Sequence, residues 1–259
     1  MVSSLLKALA ILDLFTPQKP VLTLNELTEK LGYSKSTVHS MVSTFMEGGY
    51  IVKTENNSYA LGSTFISKTQ SVLVNVQLRD RAAPLLRKLS DETGESVYLT
   101  VLNGNLSLYI YAVETSHRLL ARSAVGEEVP LHCTSVGKAI LAFLPYERQE
   151  HIIGEVGLPA FTQNTITDKE ELLNDLEKTR KRGYSIDNQE HEEESFCLGA
   201  PILNERGEVI GSCSISGYEK EVINEKLDVY SSKIKHTAQE ISRRMGFVPT
   251  SPNQIWPEN

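Results

Sequence analysis

No apolar run in this chain approaches the ~18 consecutive residues a bilayer-crossing helix needs, so no membrane span is expected. Cysteine is scarce. Cys133, Cys197 and Cys213 form no C-x-x-C pair and cannot all pair with one another, which removes a disulfide framework and the usual zinc-finger spacing. Met1 runs straight into Ser3, Ser4 and Lys7 on a helical pattern, without the apolar core and cleavage site of a secretory leader; a reducing, cytoplasmic setting is expected. There is no G-x-S-x-G, no P-loop, no dinucleotide fingerprint and no metal-ligand spacing. No cofactor, no metal and no catalytic residue are therefore expected. Arginine is missing from the first 70 residues altogether.

What is present suits packed domains: 40% hydrophobic and 23% charged residues over 259 positions, a length comfortable for two domains. The net charge of −7 is unevenly spread. Residues 1–70 carry six lysines against five acids, a net +1, and the remainder carries twenty basic against twenty-eight acidic residues, a net −8. A net charge of −7 taken alone argues against a nucleic-acid partner, and a surface at +1 offers few phosphate contacts, so any DNA affinity in this part would need two copies acting together.

The first 62 residues follow a recognisable order. Leu5, Leu9, Leu12 and Phe15 fall at helical spacing, closed by Pro17 and Pro20. Thr23-Leu24-Asn25-Glu26 is a capping box, and Gly32 ends the short helix that it opens. Ser34 caps a third helix carrying Val38, Val42, Phe45 and Met46 on its core side, stopped by Gly48-Gly49. Tyr50–Thr54 and Ser58–Leu61 then flank Glu55-Asn56-Asn57 as a hairpin. Helix, short helix, tight turn, helix and two-stranded wing is the winged helix-turn-helix order; the plain alternative is a small structural bundle. Ser34, Lys35, Ser36, Thr37, His39 and Ser40 make the start and outer face of the third helix small, polar or basic, suited to base edges and phosphates, and Lys53 on the wing suits the backbone.

The pattern is helical again from Thr64 to Thr93, broken near Asn75. Pro84, inside the run Gln77–Glu92, sets a helix start around Leu78–Ala82. Strand periodicity follows at Val97–Leu102 and Leu106–Val113, joined by an Asn-Gly turn, and again at Arg118–Ser123. Helices are expected over Val136–Leu144, Tyr146–Gly154 and Lys169–Arg182, the last capped by Asp168. Strands return at Tyr184–Asp187, Phe196–Leu203 and Val209–Ser216, and one amphipathic helix spans Glu219–Met245.

Two segments carry a resemblance: Leu131-His132-Cys133-Thr134-Ser135-Val136-Gly137-Lys138-Ala139, and Gly183-Tyr184-Ser185-Ile186-Asp187-Asn188-Gln189-Glu190 with Cys197-Leu198-Gly199-Ala200-Pro201-Ile202 after six residues. With the winged-helix opening they make the chain similar, end to end, to the IclR family of bacterial transcription regulators. That resemblance implies an α+β multidomain fold: a winged helix-turn-helix DNA-binding domain over 1–62, a helical linker over 63–77, a GAF/PAS-like antiparallel sheet with helices over 78–250 that binds a small effector, and a tail over 251–259. It implies a homodimer or homotetramer that binds double-stranded operator DNA, represses a catabolic operon and answers to a small organic, sugar or aromatic acid. The family's pocket carries over to the start of the Val136 helix at Ser135 and Val136, to Asp187 and Cys197, and to Ser214 and Ser216 on the last strand. Ala121 and Val129 are assigned to its apolar wall.

Other readings of single residues are plainer. Cys197, His132 and Asp187 could make a nucleophile, base and orienter, or, with Cys133, a metal or redox sensor, but no local motif supports either. His132 is expected to be a hydrogen-bonded structural residue, and the run Glu190–Glu194 a solvated surface loop.

Overall fold

The computed structural model describes residues 2–16, 19–69, 76–115 and 125–248, which fall into two compact units, Met1–Val74 and Asn75–Asn259.

The first unit is built from local signals that fold as written. Helix α1 (Ser3–Leu12) ends in a tight turn, Leu14 and Phe15 bonding back three residues to Ile11 and Leu12. Strand β1 (Val21–Thr23) runs into α2 (Leu24–Leu31) through the capping box: Thr23 Oγ1 accepts the Glu26 N–H, and Glu26 accepts the Thr23 N–H at 2.8 Å. Gly32 closes α2 at φ 68°, where a side chain would be strained. Ser34 caps α3 (Lys35–Glu47), and β2 (Ile51–Lys53) pairs antiparallel with β3 (Ser58–Leu61), with Asn57 at φ 56° in the turn. The wing has one strand more than the sequence pattern gives, because β1 adds to β3 in the order β1-β3-β2. Ile11, Phe15, Leu22, Leu27, Val38, Val42, Ile51 and Tyr59 form the core. Helix α4 (Thr64–Thr69) follows the wing.

The second unit opens with α5 (Val76–Thr93), which runs straight through Pro84 and corrects the expected restart. Pro84 lies on the exposed side, so the bond it cannot donate leaves only the solvent-facing Asp80 carbonyl free of it. Leu78, Ala82, Leu86 and Leu89 bury the opposite face and hold the helix continuous. Then come β4 (Ser96–Asn103), β5 (Leu106–Val113), β6 (Glu128–Pro130), α6 (Ser135–Leu141), α7 (Tyr146–Val156), α8 (Lys169–Arg182), β7 (Ser185–Asn188), β8 (Phe196–Leu203), β9 (Val209–Gly217) and α9 (Leu227–Arg244). The expected strand at 118–123 lies outside the described residues, and β6 has no counterpart in the sequence reading. The final helix is shorter than expected: a 3₁₀ turn at Lys220–Ile223 precedes it, Asn224 breaks the chain direction, and the Lys226 N–H returns to the Glu221 carbonyl.

Among the described residues the six strands of this unit pair antiparallel in the order β6-β5-β4-β9-β8-β7. Alternation gives the sheet two unlike faces. Val97, Leu99, Leu198, Ala200, Ile202, Cys213 and Ile215 meet α5 and α9 in the main core. The other face carries a polar row set by register, Asp187 beside Cys197 beside Ser216 beside Ser96, and a second row of Ser185, Gly199, Ser214 and Tyr98. Helix α6 packs on that face.

Candidate functional site

In the first unit, α3 turns Val38 and Val42 inward and leaves Lys35, Ser36, His39, Ser40, Ser43 and Thr44 exposed, with Thr37 half-buried. Ser34 Oγ accepts the Thr37 N–H at 3.2 Å and shares hydrogen bonds with the Ser36 and Thr37 hydroxyls at 3.1 and 2.7 Å. These hydroxyls are therefore pre-arranged at the helix start. Lys53 is exposed on β2. Short polar groups along one helix face, beside a lysine-bearing wing, offer hydrogen bonds and positive charge to a duplex groove.

In the second unit a pocket, partly open to solvent, lies between the polar sheet face and the start of α6. Tyr98, Tyr109, Thr134, Ser135, Asp187, His191, Glu192, Ser195, Cys197, Ser214 and Ser216 line it. Thr134 caps α6, accepting the Gly137 N–H at 3.0 Å and donating to the Pro130 carbonyl at 2.8 Å. Two sheet hydroxyls tie down its first turn: Ser185 Oγ donates to the Ser135 carbonyl at 2.5 Å, and Ser212 Oγ to the Val136 carbonyl at 2.8 Å. Cys197 Sγ and Ser216 Oγ share a hydrogen bond at 2.7 Å. The Tyr98 and Tyr109 rings meet edge to face at 5.5 Å over Val129 and Val136.

Beneath the pocket Lys138 is 1% exposed, its ammonium 2.6 Å from Glu190 and 2.9 Å from Asp175. Burial by itself would lower the Lys138 pKa, but the two carboxylates outweigh it and hold the ammonium above its usual range. The Glu190 N–H donates to Asp187 Oδ1 at 2.8 Å, and the Glu190 carbonyl accepts Thr165 Oγ1 at 2.5 Å. Burial, with Glu190's charge added, pushes Asp187 up to about 7. Burial holds the His191 imidazole below its usual range, against the pull of Glu192.

Of the expected pocket residues, Ser135, Asp187, Cys197, Ser214 and Ser216 come together in the lining. Val136 and Val129 pack behind it under the tyrosines. Ala121 lies outside the described residues. The sequence reading missed Tyr98, Tyr109, Thr134, His191, Glu192 and Ser195. The solvated-loop reading of Glu190–Glu194 is corrected for its first three residues: Glu190 is buried on Lys138, and His191 and Glu192 face the pocket, while Glu193 and Glu194 are exposed. An available signal was Lys138 itself, a lysine within a wholly buried helix, which demands a buried carboxylate partner. His132 is structural as expected, bonded through Nε2 to the Pro159 carbonyl at 3.0 Å, and lies outside the lining shared by Cys197 and Asp187. Among the described residues no three His, Cys, Asp or Glu side chains converge as metal ligands.

The chain matches known proteins along most of its length. Residues 4–55 fit the model of the IclR helix-turn-helix domain, and residues 70–243 that of the bacterial transcriptional regulator IclR C-terminal domain. The HTH-type transcriptional regulator KipR of Bacillus subtilis (strain 168) is 33% identical over 244 residues, 94% of this chain and 97% of KipR. The crystal structure of Thermotoga maritima IclR superposes with a TM-score of 0.82 at 34% identity, over 95% of this chain and all of that one. An IclR homologue of Microbacterium hydrocarbonoxydans, crystallised in complex with 4-hydroxybenzoate, shares the fold at a TM-score of 0.85 and 21% identity, over 94% of this chain and 99% of its own. With a winged helix in one unit and a pocketed antiparallel sheet in the other, this chain belongs to the IclR family of transcriptional regulators, DNA-binding proteins that respond to a ligand.

Proposed function

We propose that the protein is a cytoplasmic repressor of a catabolic operon that gives up or repositions on its operator when a small carboxylate enters the pocket of the second unit. The observation that carries this reading is the buried polar row of Asp187, Cys197, Ser214 and Ser216 facing Ser135. It is a hydrogen-bonding site built of buried polar side chains and partly open to solvent. Residues 78–250 act as the effector-binding domain and 1–62 as the DNA-binding domain, with 63–77 as the linker and 251–259 as a tail. The effector contacts Ser135, Val136, Asp187, Cys197, Ser214 and Ser216, with Val129 behind them; it is bound and not turned over. Ser34, Lys35, Ser36, Thr37, His39, Ser40 and Lys53 face double-stranded DNA. Homodimers, alone or paired as tetramers, supply the two reading heads that one weakly charged head needs. The apolar stripe of α1, with Leu5, Leu6 and Leu9 from 57% to 44% exposed, suits contact with a second copy.

A ligand moves the equilibrium between two head spacings only by its differential affinity for them, typically ~1–3 kcal/mol of coupling. Gel shifts on promoter fragments from the neighbouring genes test the scheme. Ser36→Ala/Ser40→Ala should lose base preference, whereas Lys53→Ala should weaken all sequences alike and flatten the salt slope. Asp187→Ala and Ser214→Ala/Ser216→Ala should bind operator but ignore small carboxylates. Unimpaired operator selection by the double serine variant would remove α3 from the reading role, and turnover of a carboxylate lost in Cys197→Ser would return an enzyme.

A further inference from the structure

We propose that the pocket takes its carboxylate ligand together with a proton held on Asp187, which makes the neutral Asp187 carboxyl a hydrogen-bond donor to the ligand. The proposal rests on the carboxylate reading of the pocket and adds the form in which the site accepts it.

The geometry leaves one negative charge unanswered. Lys138, from α6, is shared by Glu190 at 2.6 Å and Asp175, from α8, at 2.9 Å. Asp187, 4% exposed on β7, has instead the Glu190 N–H on Oδ1. Glu190 and Asp175 thus hold the ammonium between them and Asp187 does not touch it, so, although burial raises Glu190 as well, a proton entering the cluster settles on Asp187, the carboxylate without a cation in contact. Among the described residues the other groups facing Asp187 supply no further cation. Glu192 and His191, on the loop after β7, are an acid and an imidazole that burial keeps neutral. Cys133, before α6, is a thiol that burial pushes up; Cys197 is its neighbour on β8, and Tyr98 and Tyr109 close the pocket from β4 and β5. Among the described residues the lining carries no lysine or arginine.

An incoming carboxylate would therefore meet like charge if Asp187 were ionised, and a donor if it were not. A neutral carboxyl and an ionised carboxylate can share a short, charge-assisted O–H···O hydrogen bond, stronger than a neutral pair. Raising the pH removes that donor and installs repulsion, so the ligand binds better on the acidic side of neutrality. The Asp187 pKa of about 7 places that change near neutral pH.

Two measurements on the full-length protein test this. Infrared difference spectra of the wild type against Asp187→Asn should show a protonated-carboxyl band at about pH 6 that fades by about pH 8, since a group of pKa near 7 crosses its midpoint between them. Glu190→Gln, which removes the neighbouring negative charge and leaves Lys138 on Asp175 alone, should move that transition to lower pH. Calorimetry with acetate, lactate and 4-hydroxybenzoate as probes should give binding about tenfold tighter at about pH 6 than at about pH 8, the ratio of protonated fractions. Asp187→Asn, still a donor through its amide, should bind without pH dependence. Absence of the band, or carboxylate binding equally tight at both pH values in the wild type, overturns the proton while leaving the carboxylate reading in place. A band of the expected behaviour with no probe bound at either pH overturns the carboxylate reading, and this proposal with it.

Discussion

The carbonyl of Ser135 presses on Gly199: a Cβ placed there would stand 2.6 Å from the Ser135 carbonyl carbon and 2.7 Å from Ser185 Oγ. Glycine at that point of β8 is what lets α6 lie close enough for Ser185 to bond its first turn. Gly199→Ala should overpack this contact and destabilise the protein by roughly 1–3 kcal/mol. Because the displaced segment lines the pocket, ligand response should suffer with it while operator binding by the first unit persists. Urea unfolding alongside gel shifts would show this, and an unaltered midpoint would mean the helix does not rest on the strand as described.

Thr23 predicts a narrower effect. Its hydroxyl accepts the Glu26 N–H, one of the donors that α2 cannot satisfy internally. Thr23→Ala should cost the first unit about 1 kcal/mol, and Thr23→Ser should restore most of it. Amide exchange resolved by unit should show faster opening of α2 and no change in α6 or α9.

These two positions also mark what was legible in the sequence. The caps at Thr23, Ser34 and Asp168, the Asn-Gly hairpin and strand Phe196–Leu203 are set by neighbours in the chain, and each folds where the local pattern puts it. Ser214 and Ser216 were legible for the same reason, since alternation alone sends both to one face. The rest of the pocket depends on partners far apart. Tyr98 joins Ser214 through a register shared by β4 and β9, and Glu190 is drawn inside by a lysine 52 residues away. An acidic run looks solvated until its buried cation is known. Pro84 misled for a related reason: its cost depends on which face of α5 is buried, and tertiary packing decides that.

Lys138 offers a direct check on the buried cluster. Lys138→Met would leave Glu190 and Asp175 without their ammonium, and removing one partner of a buried pair costs roughly 3–5 kcal/mol. The double variant Lys138→Met/Glu190→Gln should recover part of that loss, because one of the stranded charges goes with it. Equal destabilisation by the single and double variants would show that Lys138 matters through its packing alone.

The pH dependence of stability gives the last expectation, and its sign runs against the usual acid denaturation. Asp187 has an ordinary pKa of 3.8, raised to about 7 in the folded chain by burial and then by Glu190. Between those values the folded protein holds a proton that the unfolded chain has released, so N binds more protons than U and stability falls as pH rises through the window. Below about pH 4 both states are protonated and the site contributes no slope. Above about 7 both are ionised, and the full cost of a buried carboxylate is present. At ~1.4 kcal/mol per unit of pKa, that cost amounts to a few kcal/mol. Asp187→Asn removes the titration, so its stability should exceed that of the wild type by a margin that grows from about pH 4 to about pH 7 and then levels off. Urea titrations of the two proteins across that range measure the margin. A constant difference would mean that Asp187 stays ionised throughout.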